Sequence, residues 1–234
     1  MAQPTLDLKR EQQASMARPR YPYSLAARFF FSSMDWVAGR RTTLAKAKLL
    51  EILASIPYRE WEALQYGRMT RGYRSLGVVQ QARRIVAWGR EAQDNEYWHL
   101  LVIQEKMNAD GLSDPWYLVP PIPWLMVWSY VLLARLLALV SLRRAFLFNA
   151  EFEDHAEHTY ARFVADHPEW DAQPVDNPLV KEHASDLTTW ADVFRRIALD
   201  ERDHRNRSFA YCGKPEWVVP YEGMPKGDSP VPLG

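Results

Sequence analysis

The sequence predicts an all-α protein whose core is a four-helix bundle. Apolar residues recur with helical periodicity through most of the chain, and no segment shows the sustained alternation with β-branched residues that indicates a sheet. Apolar residues make up 47% of the 234 residues, which is enough for one sizeable core. Two Glu-x-x-His pairs, Glu96 with His99 and Glu201 with His204, lie on separate helical segments. These observations favour one bundle with polar ligands directed inward.

Five helices are predicted from the periodicity, over residues 24–38, 43–66, 78–108, 124–165 and 187–211. Asp35 and Gly39 mark the end of the first helix, since glycine readily adopts the conformation that terminates a helix. Thr42 or Thr43 can cap the second helix, because a threonine hydroxyl accepts a hydrogen bond from a backbone N–H of the first turn. A short connection therefore separates the first two helices.

Glycine and proline separate the remaining helices. Gly72 and Gly77 lie between the second and third helices. Proline removes a backbone donor and fixes φ, so two groups of prolines should interrupt the chain before and after the fourth helix: Pro115, Pro120, Pro121, Pro123, Pro168, Pro174 and Pro178. Residues 1–23 are interpreted as an N-terminal extension and residues 24–212 as one bundle domain. Residues 213–234 form a Pro/Gly-rich tail, expected to be extended and packed only in part.

Charge and cysteine content exclude several classes of protein. The 29 Lys and Arg residues equal the 29 Asp and Glu residues, so no net charge draws the chain to nucleic acid. Cys212 is the only cysteine, so a transition-metal site within the chain must use histidine and carboxylate ligands. Residues 1–20 mix both charges without an apolar core, which argues against a secretory signal. We expect a bacterial-type chain that begins near its mature domain.

The most apolar segment of the chain is residues 116–142. About 20 apolar residues can span a bilayer, but Arg135 would then lie near the middle of the membrane at a cost of at least about 2.5 kcal/mol. Prolines break the first third of the segment, and residues 124–142 continue without a breaker into the rest of the predicted fourth helix. We therefore expect this helix to lie along a membrane surface. A spanning helix and a buried core helix are the alternatives.

An interfacial helix would make the protein monotopic, attached to one side of a membrane. Such a helix buries its apolar face about 5 to 10 Å into the headgroup region and keeps its cations on the polar side. Arg135, Arg143 and Arg144 are suited to that polar side. A second interfacial element is suggested near the start of the chain by Phe29, Phe30, Phe31 and Trp36.

The two Glu-x-x-His pairs indicate metal binding. Residues three apart on a helix lie on one face, about 5 to 6 Å apart at Cβ, so each pair can direct a carboxylate oxygen and an imidazole nitrogen at one ion. The same faces carry Ala92 and Ile103 in one helix and Ile197 and Ser208 in the other, which is typical of inward faces. A bundle with a charged surface and no metal is the alternative.

Two further carboxylates complete the pattern. Ferritin-like di-iron and di-manganese bundles use one Glu from each of two helices and a Glu-x-x-His from each of the other two. Glu51 supplies the first carboxylate. The second lies in the segment 149–163, where periodicity leaves several residues open: Glu151, Glu153, Asp154, His155, Glu157 and His158. Four inward carboxylates require a compensating charge, and two iron ions would supply it.

Four segments, in this order, resemble the alternative oxidase family, and within it the plastid terminal oxidases, or plastoquinol oxidases: LLEILASIPY, NEYWHLL, FEDHAEHTYARF and LDERDH. The resemblance covers residues 25–211. It implies that two iron ions are bound by Glu51, Glu96, His99, Glu153, Glu201 and His204. Lys46 stands where the family has an arginine associated with quinol binding, and Arg202 stands where a small residue is common.

The resemblance implies a quinol:oxygen oxidoreductase, which oxidises membrane plastoquinol or ubiquinol and reduces O2 to water at a non-haem di-iron centre. It implies a catalytic role for Tyr160 and a place in the quinol pocket for Leu50, Ala156 and Thr159. Ordinary core packing is the alternative for each of these residues. The resemblance also implies a homodimer, attached to the cytoplasmic side of a bacterial inner membrane or a thylakoid-type membrane.

Asn95 and Asp200 directly precede the ligands Glu96 and Glu201 in the sequence. A metal-bound imidazole normally donates its other N–H to a carboxylate or carbonyl group, so both are candidates to orient the histidines. Ordinary capping or solvent-facing groups are the alternative for both.

Two other classes of protein fit the same residues. One is another di-iron carboxylate enzyme, such as a quinone-biosynthesis hydroxylase, which would share the ligands but oxygenate its substrate. The other is a metal-free helical protein on a membrane surface, in which the Glu-x-x-His pairs are accidental. Product analysis separates the first from an oxidase, and the iron content of the purified protein tests the second.

Overall fold

The computed structural model describes residues 6–184 and 186–224, and this part of the chain is helical. Within it, the only β pairing is an isolated bridge between Pro174 and Thr189. The all-α prediction is confirmed. The described residues form eight α-helices: α1 (Leu8–Ala17), α2 (Leu25–Ala38), α3 (Leu44–Gly72), α4 (Leu76–Ala109), α5 (Ile122–Val140), α6 (Leu142–Ala165), α7 (Pro178–His183) and α8 (Trp190–Tyr211).

Helix α1 lies in the segment that the sequence analysis treated as an extension. Its N-cap is Asp7, whose Oδ1 accepts a hydrogen bond from the backbone N–H of Arg10 at 3.0 Å. Glu11 and Ser15 are its buried residues, and both make polar contacts inside the protein. Because α1 is held by polar contacts rather than by an apolar face, its hydrophobic pattern did not reveal it.

The single helix predicted over residues 124–165 is wrong. Ser141 has extended backbone angles, φ −162° and ψ 107°, and separates α5 from α6. Its N–H donates to Leu137 O at 2.9 Å, and its Oγ accepts from the N–H of Arg144 at 3.3 Å. Serine competes for backbone hydrogen bonds in this way, which is why it favours helix ends. The apolar segment is therefore not continuous with the helix that carries Glu153.

The chain divides into two compact units. The central unit comprises Ser32–Ala145, and the terminal unit comprises Met1–Phe31 together with Phe146–Gly234. The described part of the Pro/Gly-rich tail, residues 213–224, belongs to the terminal unit. Residues 225–234 of the predicted tail lie outside the described part, as do residues 1–5.

In the central unit α3 and α4 form an antiparallel pair. Thr43 caps α3, because its Oγ1 accepts from the N–H of Lys46 at 3.1 Å. Gly89 of α4 lies so close to α3 that a Cβ there would approach the carbonyl oxygen of Tyr58 to 3.3 Å. The rings of Tyr58, Trp61 and Trp88 pack together beside this approach, with centroids 5.2 to 5.6 Å apart. A small residue thus brings the two helices into close contact.

Helix α5 packs on α3 along one narrow stripe. Its buried residues are Tyr130, Ala134 and Ala138, which recur every four residues and therefore share a face. Beside this stripe, the Nε of Arg135 donates to Glu60 of α3 at 2.6 Å. The other faces of α5 carry large exposed apolar side chains: Trp124, Leu125, Trp128, Leu132, Leu133, Leu136, Leu139 and Val140.

In the terminal unit the described part of the tail is docked on α8. The side-chain amide of Asn206 donates to Val219 O at 2.8 Å and accepts from Val219 N at 2.9 Å. Arg205 donates to Trp217 O at 2.9 Å, and the ring of Trp217 packs edge-on against Tyr21 at 4.8 Å. Residues 214–224 are therefore held by specific contacts with α8 and the N-terminal segment.

Candidate metal-binding residues

The central unit brings together Glu51 of α3 with Glu96 and His99 of α4. One potential ligand atom from each lies within 4.8 Å of the other two. The Nδ1 of His99 is 3.4 Å from an oxygen of Glu51 and 3.5 Å from an oxygen of Glu96. All three residues are buried, and Glu96 and His99 have no exposed surface. We call this set the central triad.

The terminal unit contains a second set of the same composition. Glu153 of α6 lies with Glu201 and His204 of α8, again with one ligand atom from each within 4.8 Å. The Nδ1 of His204 is 3.5 Å from an oxygen of Glu201, and all three residues are buried. We call this set the terminal triad. Each triad thus contains one Glu-x-x-His pair and one glutamate from another helix.

The local sequence explains why both pairs face inward. Ala92 and Ile103, which share the face of Glu96 in α4, are buried, as predicted from their spacing. Ile197 and Ser208, which share the face of Glu201 in α8, have no exposed surface. Both pairs therefore face inward because the helical period places them on the buried face of their helix.

The separations that involve the triad histidines suit a shared metal ion. First-row metal ions bind carboxylate oxygen and imidazole nitrogen at about 2.0 to 2.2 Å, so two ligand atoms of one ion lie at most about 4.4 Å apart. The separations of 3.4 to 3.5 Å in the triads lie within this limit. Buried Glu and His groups at these distances could hold a metal ion in either unit.

Asn149 positions the carboxylate of the terminal triad. This buried residue lies one helical turn before Glu153, and its Nδ2 donates to Glu153 Oε1 at 3.0 Å. The same nitrogen also donates to Ser208 Oγ of α8 at 3.1 Å. Asn149 is not among the site residues predicted from the sequence, although its four-residue spacing from Glu153 places both on one face.

The acidic neighbours of Glu153 have other partners. Glu151 accepts hydrogen bonds from the N–H and the hydroxyl of Ser24, at 2.8 and 2.6 Å. Asp154 accepts from the backbone N–H of Tyr21 at 3.0 Å and from Arg205 Nε at 2.7 Å. These two carboxylates therefore connect α6 and α8 to the segment before α2, rather than joining the terminal triad.

The histidines of the same segment are also engaged elsewhere. His155 stacks on the ring of Phe31, with centroids 4.0 Å apart and planes 14° apart. The ring nitrogens of His158 lie within hydrogen-bond distance of two backbone oxygens, Asp154 O at 2.7 Å and Arg18 O at 3.0 Å. Of the candidate residues in the segment 149–163, only Glu153 lies close enough to Glu201 and His204 to form a possible metal site with them in the terminal unit.

Arg202 occupies the interior of the terminal unit. Its Nε donates to Glu157 at 2.8 Å, its Nη1 to Glu11 at 2.6 Å and its Nη2 to Ser15 Oγ at 2.7 Å. Arg18 donates to both oxygens of Glu157 as well. Arg202 thus connects α1, α6 and α8, which explains why a large residue is accommodated next to the candidate ligand Glu201.

Burial alone would raise the pKa of Glu157. The hydrogen bonds and positive charges of Arg18 and Arg202 outweigh it and lower the pKa to about 2. Glu157 therefore stays ionised at neutral pH as the anionic centre of this network.

The residues implied for the quinol pocket and for catalysis are distributed over both units. Leu50 is buried in the central unit. Ala156 and Tyr160 are buried and Thr159 is half-buried in α6, in the terminal unit. The ring of Tyr160 lies beside Phe194, with centroids 6.3 Å apart.

Asp200, which precedes the candidate ligand Glu201, is engaged by a residue of its own helix. It accepts a hydrogen bond from Arg196 Nε at 2.8 Å. Asn95 is half-buried in α4. The neighbouring Asp203 accepts from Tyr221 Oη at 2.7 Å. Burial raises the pKa of Asp203 to about 6, although the Tyr221 hydrogen bond opposes this.

Lys46 is a buried residue near the start of α3. Its ammonium group donates to Asp35 at 2.6 Å and to the carbonyl oxygen of Gly39 at 2.7 Å. The lysine therefore ties the end of α2 to the start of α3.

Comparison of the chain with known protein families and with curated proteins found no match. In the part of the chain that the structure describes, α5 is long and apolar enough to span a membrane or lie against one. The two triads and this apolar helix are therefore the features of the chain that bear on its function.

Proposed function

We propose that the two triads form one di-iron carboxylate centre in a ferritin-like four-helix bundle of α3, α4, α6 and α8. The observation that carries the proposal is the equivalence of the two sets. Each has one Glu-x-x-His pair on one helix and one glutamate on another, and in each the histidine Nδ1 lies 3.5 Å from the glutamate of its own pair. Four helices that supply these ligands make the pattern of di-iron bundles.

The donor set favours iron that changes its oxidation state. All six donors are carboxylates or imidazoles, and anionic oxygen ligands stabilise the higher charge of ferric iron. Cys212, the single thiol, donates to Phe209 O at 3.3 Å and belongs to neither triad. When bound, two iron ions would supply the electron-transfer chemistry that O2 reduction requires.

We infer that the reaction is the oxidation of a membrane quinol by O2. Two quinols each release two electrons and two protons, and one O2 takes up four of each to give two waters. Tyr160 lies seven residues after Glu153, on nearly the same face of α6, and its catalytic role is the one that the family resemblance implies. Leu50, Ala156 and Thr159 would contact the quinol, as the family resemblance implies.

The exposed surface of α5 supports a substrate that comes from the bilayer. Quinols are dissolved in lipid, so an enzyme that uses them needs an apolar surface next to a membrane. Helix α5 packs on α3, the helix that carries Glu51, and exposes most of its apolar side chains. We propose that α5 lies along the membrane surface, making the protein monotopic, since Glu60 holds Arg135 on the protein side. A homodimer is part of the same proposal.

The experiment combines iron analysis with oxygen uptake. The purified protein should bind about two iron ions per chain, and membranes containing it should consume O2 when plastoquinol or ubiquinol is added. Glu96→Ala and Glu201→Ala, one in each triad, should abolish quinol-dependent uptake and reduce bound iron. Glu169→Ala, at an exposed position, is the matched control and should retain both.

The products separate the remaining alternatives. An oxidase yields oxidised quinone and water, whereas a hydroxylase yields a quinone that carries a new oxygen atom. Labelled O2 followed by mass spectrometry of the quinone makes this distinction. A purified protein that binds no iron after anaerobic reconstitution would refute the di-iron centre and favour a metal-free membrane-surface protein.

A further inference from the structure

Arginine is concentrated at the tip of the α3–α4 hairpin. Between Glu62 and Glu91 the sequence contains six arginines and no acidic residue: Arg68, Arg71, Arg74, Arg83, Arg84 and Arg90. The tip is the three-residue turn between Gly72 and Leu76. At 1.5 Å per helical residue, all of these arginines except Arg90 lie within about 12 Å of the turn along the helix axes.

Most of this charge faces solvent without an acidic partner. Arg90 pairs with Glu62 at 2.7 Å, and Arg68 donates to the side-chain oxygens of Gln65 and Gln81, which are neutral. The remaining four arginines are exposed, and among residues 6–184 and 186–224 none of them has an ion pair: Arg71, Arg74, Arg83 and Arg84. We call these four residues the basic tip.

The apolar surface of α5 extends toward the basic tip. Lys48, near the start of α3, contacts Asp114, which precedes α5, and Glu60, further along α3, contacts Arg135, further along α5. The two helices therefore run in the same direction within the central unit. Helix α5 ends at Val140, which is 76% exposed, on the side toward the hairpin tip.

We propose that the basic tip binds the headgroups of anionic phospholipids. Guanidinium groups form strong charge-assisted hydrogen bonds with phosphate, and four to eight basic residues beside a membrane-surface helix are typical of anionic-lipid recognition. Tyr73 and Leu76, 66% and 69% exposed, add side chains suited to the headgroup boundary. The neighbouring apolar helix favours lipid over a soluble acidic partner. This inference rests on the membrane-surface part of the proposed function and not on its iron chemistry.

The test measures co-sedimentation of the full chain with vesicles. One set contains phosphatidylcholine alone, and the other also contains phosphatidylglycerol. The anionic lipid should strengthen binding of the unchanged protein. Each arginine near an anionic surface contributes about 1 kcal/mol, so Arg83→Gln combined with Arg84→Gln should weaken binding to the anionic vesicles about 30-fold. Binding to phosphatidylcholine alone should not change.

The matched control combines Arg20→Gln with Arg162→Gln, two exposed arginines of the terminal unit. It removes the same net charge, and its binding to anionic vesicles should remain near that of the unchanged protein. Equal weakening by both pairs of substitutions would show an effect of net charge alone and overturn the proposal. Absence of any preference for phosphatidylglycerol would overturn it as well.

Other outcomes separate this inference from the proposed membrane attachment through α5. The unchanged protein could fail to bind vesicles of phosphatidylcholine alone and yet bind the anionic vesicles through Arg83 and Arg84. This result would contradict attachment through α5 and support the basic tip. Binding of an RNA oligonucleotide through the same arginines, without binding of anionic vesicles, would assign the patch to nucleic acid and refute the proposal. Thermal unfolding of each variant, compared with that of the unchanged protein, checks that the substitutions leave the chain folded.

Discussion

The Nε of Arg202 lies 2.8 Å from an oxygen of Glu157 in the interior of the terminal unit. Both side chains have at most 1% of their surface exposed, so the ion pair is shielded from solvent. The same guanidinium contacts Glu11 and Ser15 of α1, at 2.6 and 2.7 Å. An N-terminal helix with little apolar surface is thereby attached to the helices that carry the terminal triad.

Substitution of Arg202 by methionine should strongly destabilise the protein. The change leaves the Glu157 carboxylate with fewer compensating charges in a buried position, and breaking such a pair costs about 3 to 5 kcal/mol. Urea unfolding, followed by circular dichroism, measures the free energy of unfolding. Arg162→Met, at an exposed position of α6, is the control and should change it by less than about 0.5 kcal/mol. Similar values for the two variants would contradict a stabilising role for the network.

Stability should fall at acid pH because of Glu157. Its pKa is lowered from 4.5 to about 2 in the folded protein. A group with a lowered folded-state pKa stabilises the protein fully above its unfolded pKa, and this contribution is lost as the pH falls from about 4.5 to about 2. The contribution is about 3 kcal/mol at neutral pH.

Urea unfolding between pH 2.5 and 6 tests this contribution. The comparison is between the unchanged protein and Glu157→Gln, because other carboxylates titrate in the same range. The difference in unfolding free energy between the two should be largest near pH 6 and should shrink as the pH falls. A difference that is constant over this range would show that Glu157 does not titrate as expected.

Substitution of Asn149 by leucine should weaken iron binding, if the triads bind iron as proposed. Its amide holds the Glu153 carboxylate at 3.0 Å, and loss of such a supporting group typically reduces metal affinity about 10-fold to 100-fold. Competition with a chelator measures the affinity. Ser208→Ala removes the other partner of the amide but keeps its hydrogen bond to Glu153, so it should have a smaller effect. Equal losses in both variants would indicate a packing role for Asn149.

Substitution of Asn206 by alanine should release the tail from α8. The amide satisfies both the N–H and the carbonyl oxygen of Val219, and loss of the two hydrogen bonds should destabilise the protein by about 2 kcal/mol. Limited proteolysis should then cut residues 214–224 faster. Asn108→Ala, at an exposed position in α4, is the control and should leave both measurements unchanged. Unchanged proteolysis of the Asn206 variant would show that other contacts hold the tail.

The helical elements and the inward faces of the Glu-x-x-His pairs could be predicted from the sequence. The three-residue spacing of Glu96 and His99 places both on one face of any helix, because this geometry is local. The burial of Ala92 and Ile103 follows from the same period. Helix α1 could not be predicted in this way, since polar contacts with distant residues hold it in place.

What only the tertiary structure decided is which of several identical chemical groups meets which partner. Glu153, Asp154 and Glu157 are neighbouring carboxylates on one helix, and sequence spacing does not distinguish them. The fold places arginines next to Asp154 and Glu157, and it places Glu201 and His204 near Glu153. An ion pair or a metal site depends on atoms brought together from separate helices, so its membership is a property of packing and not of local sequence.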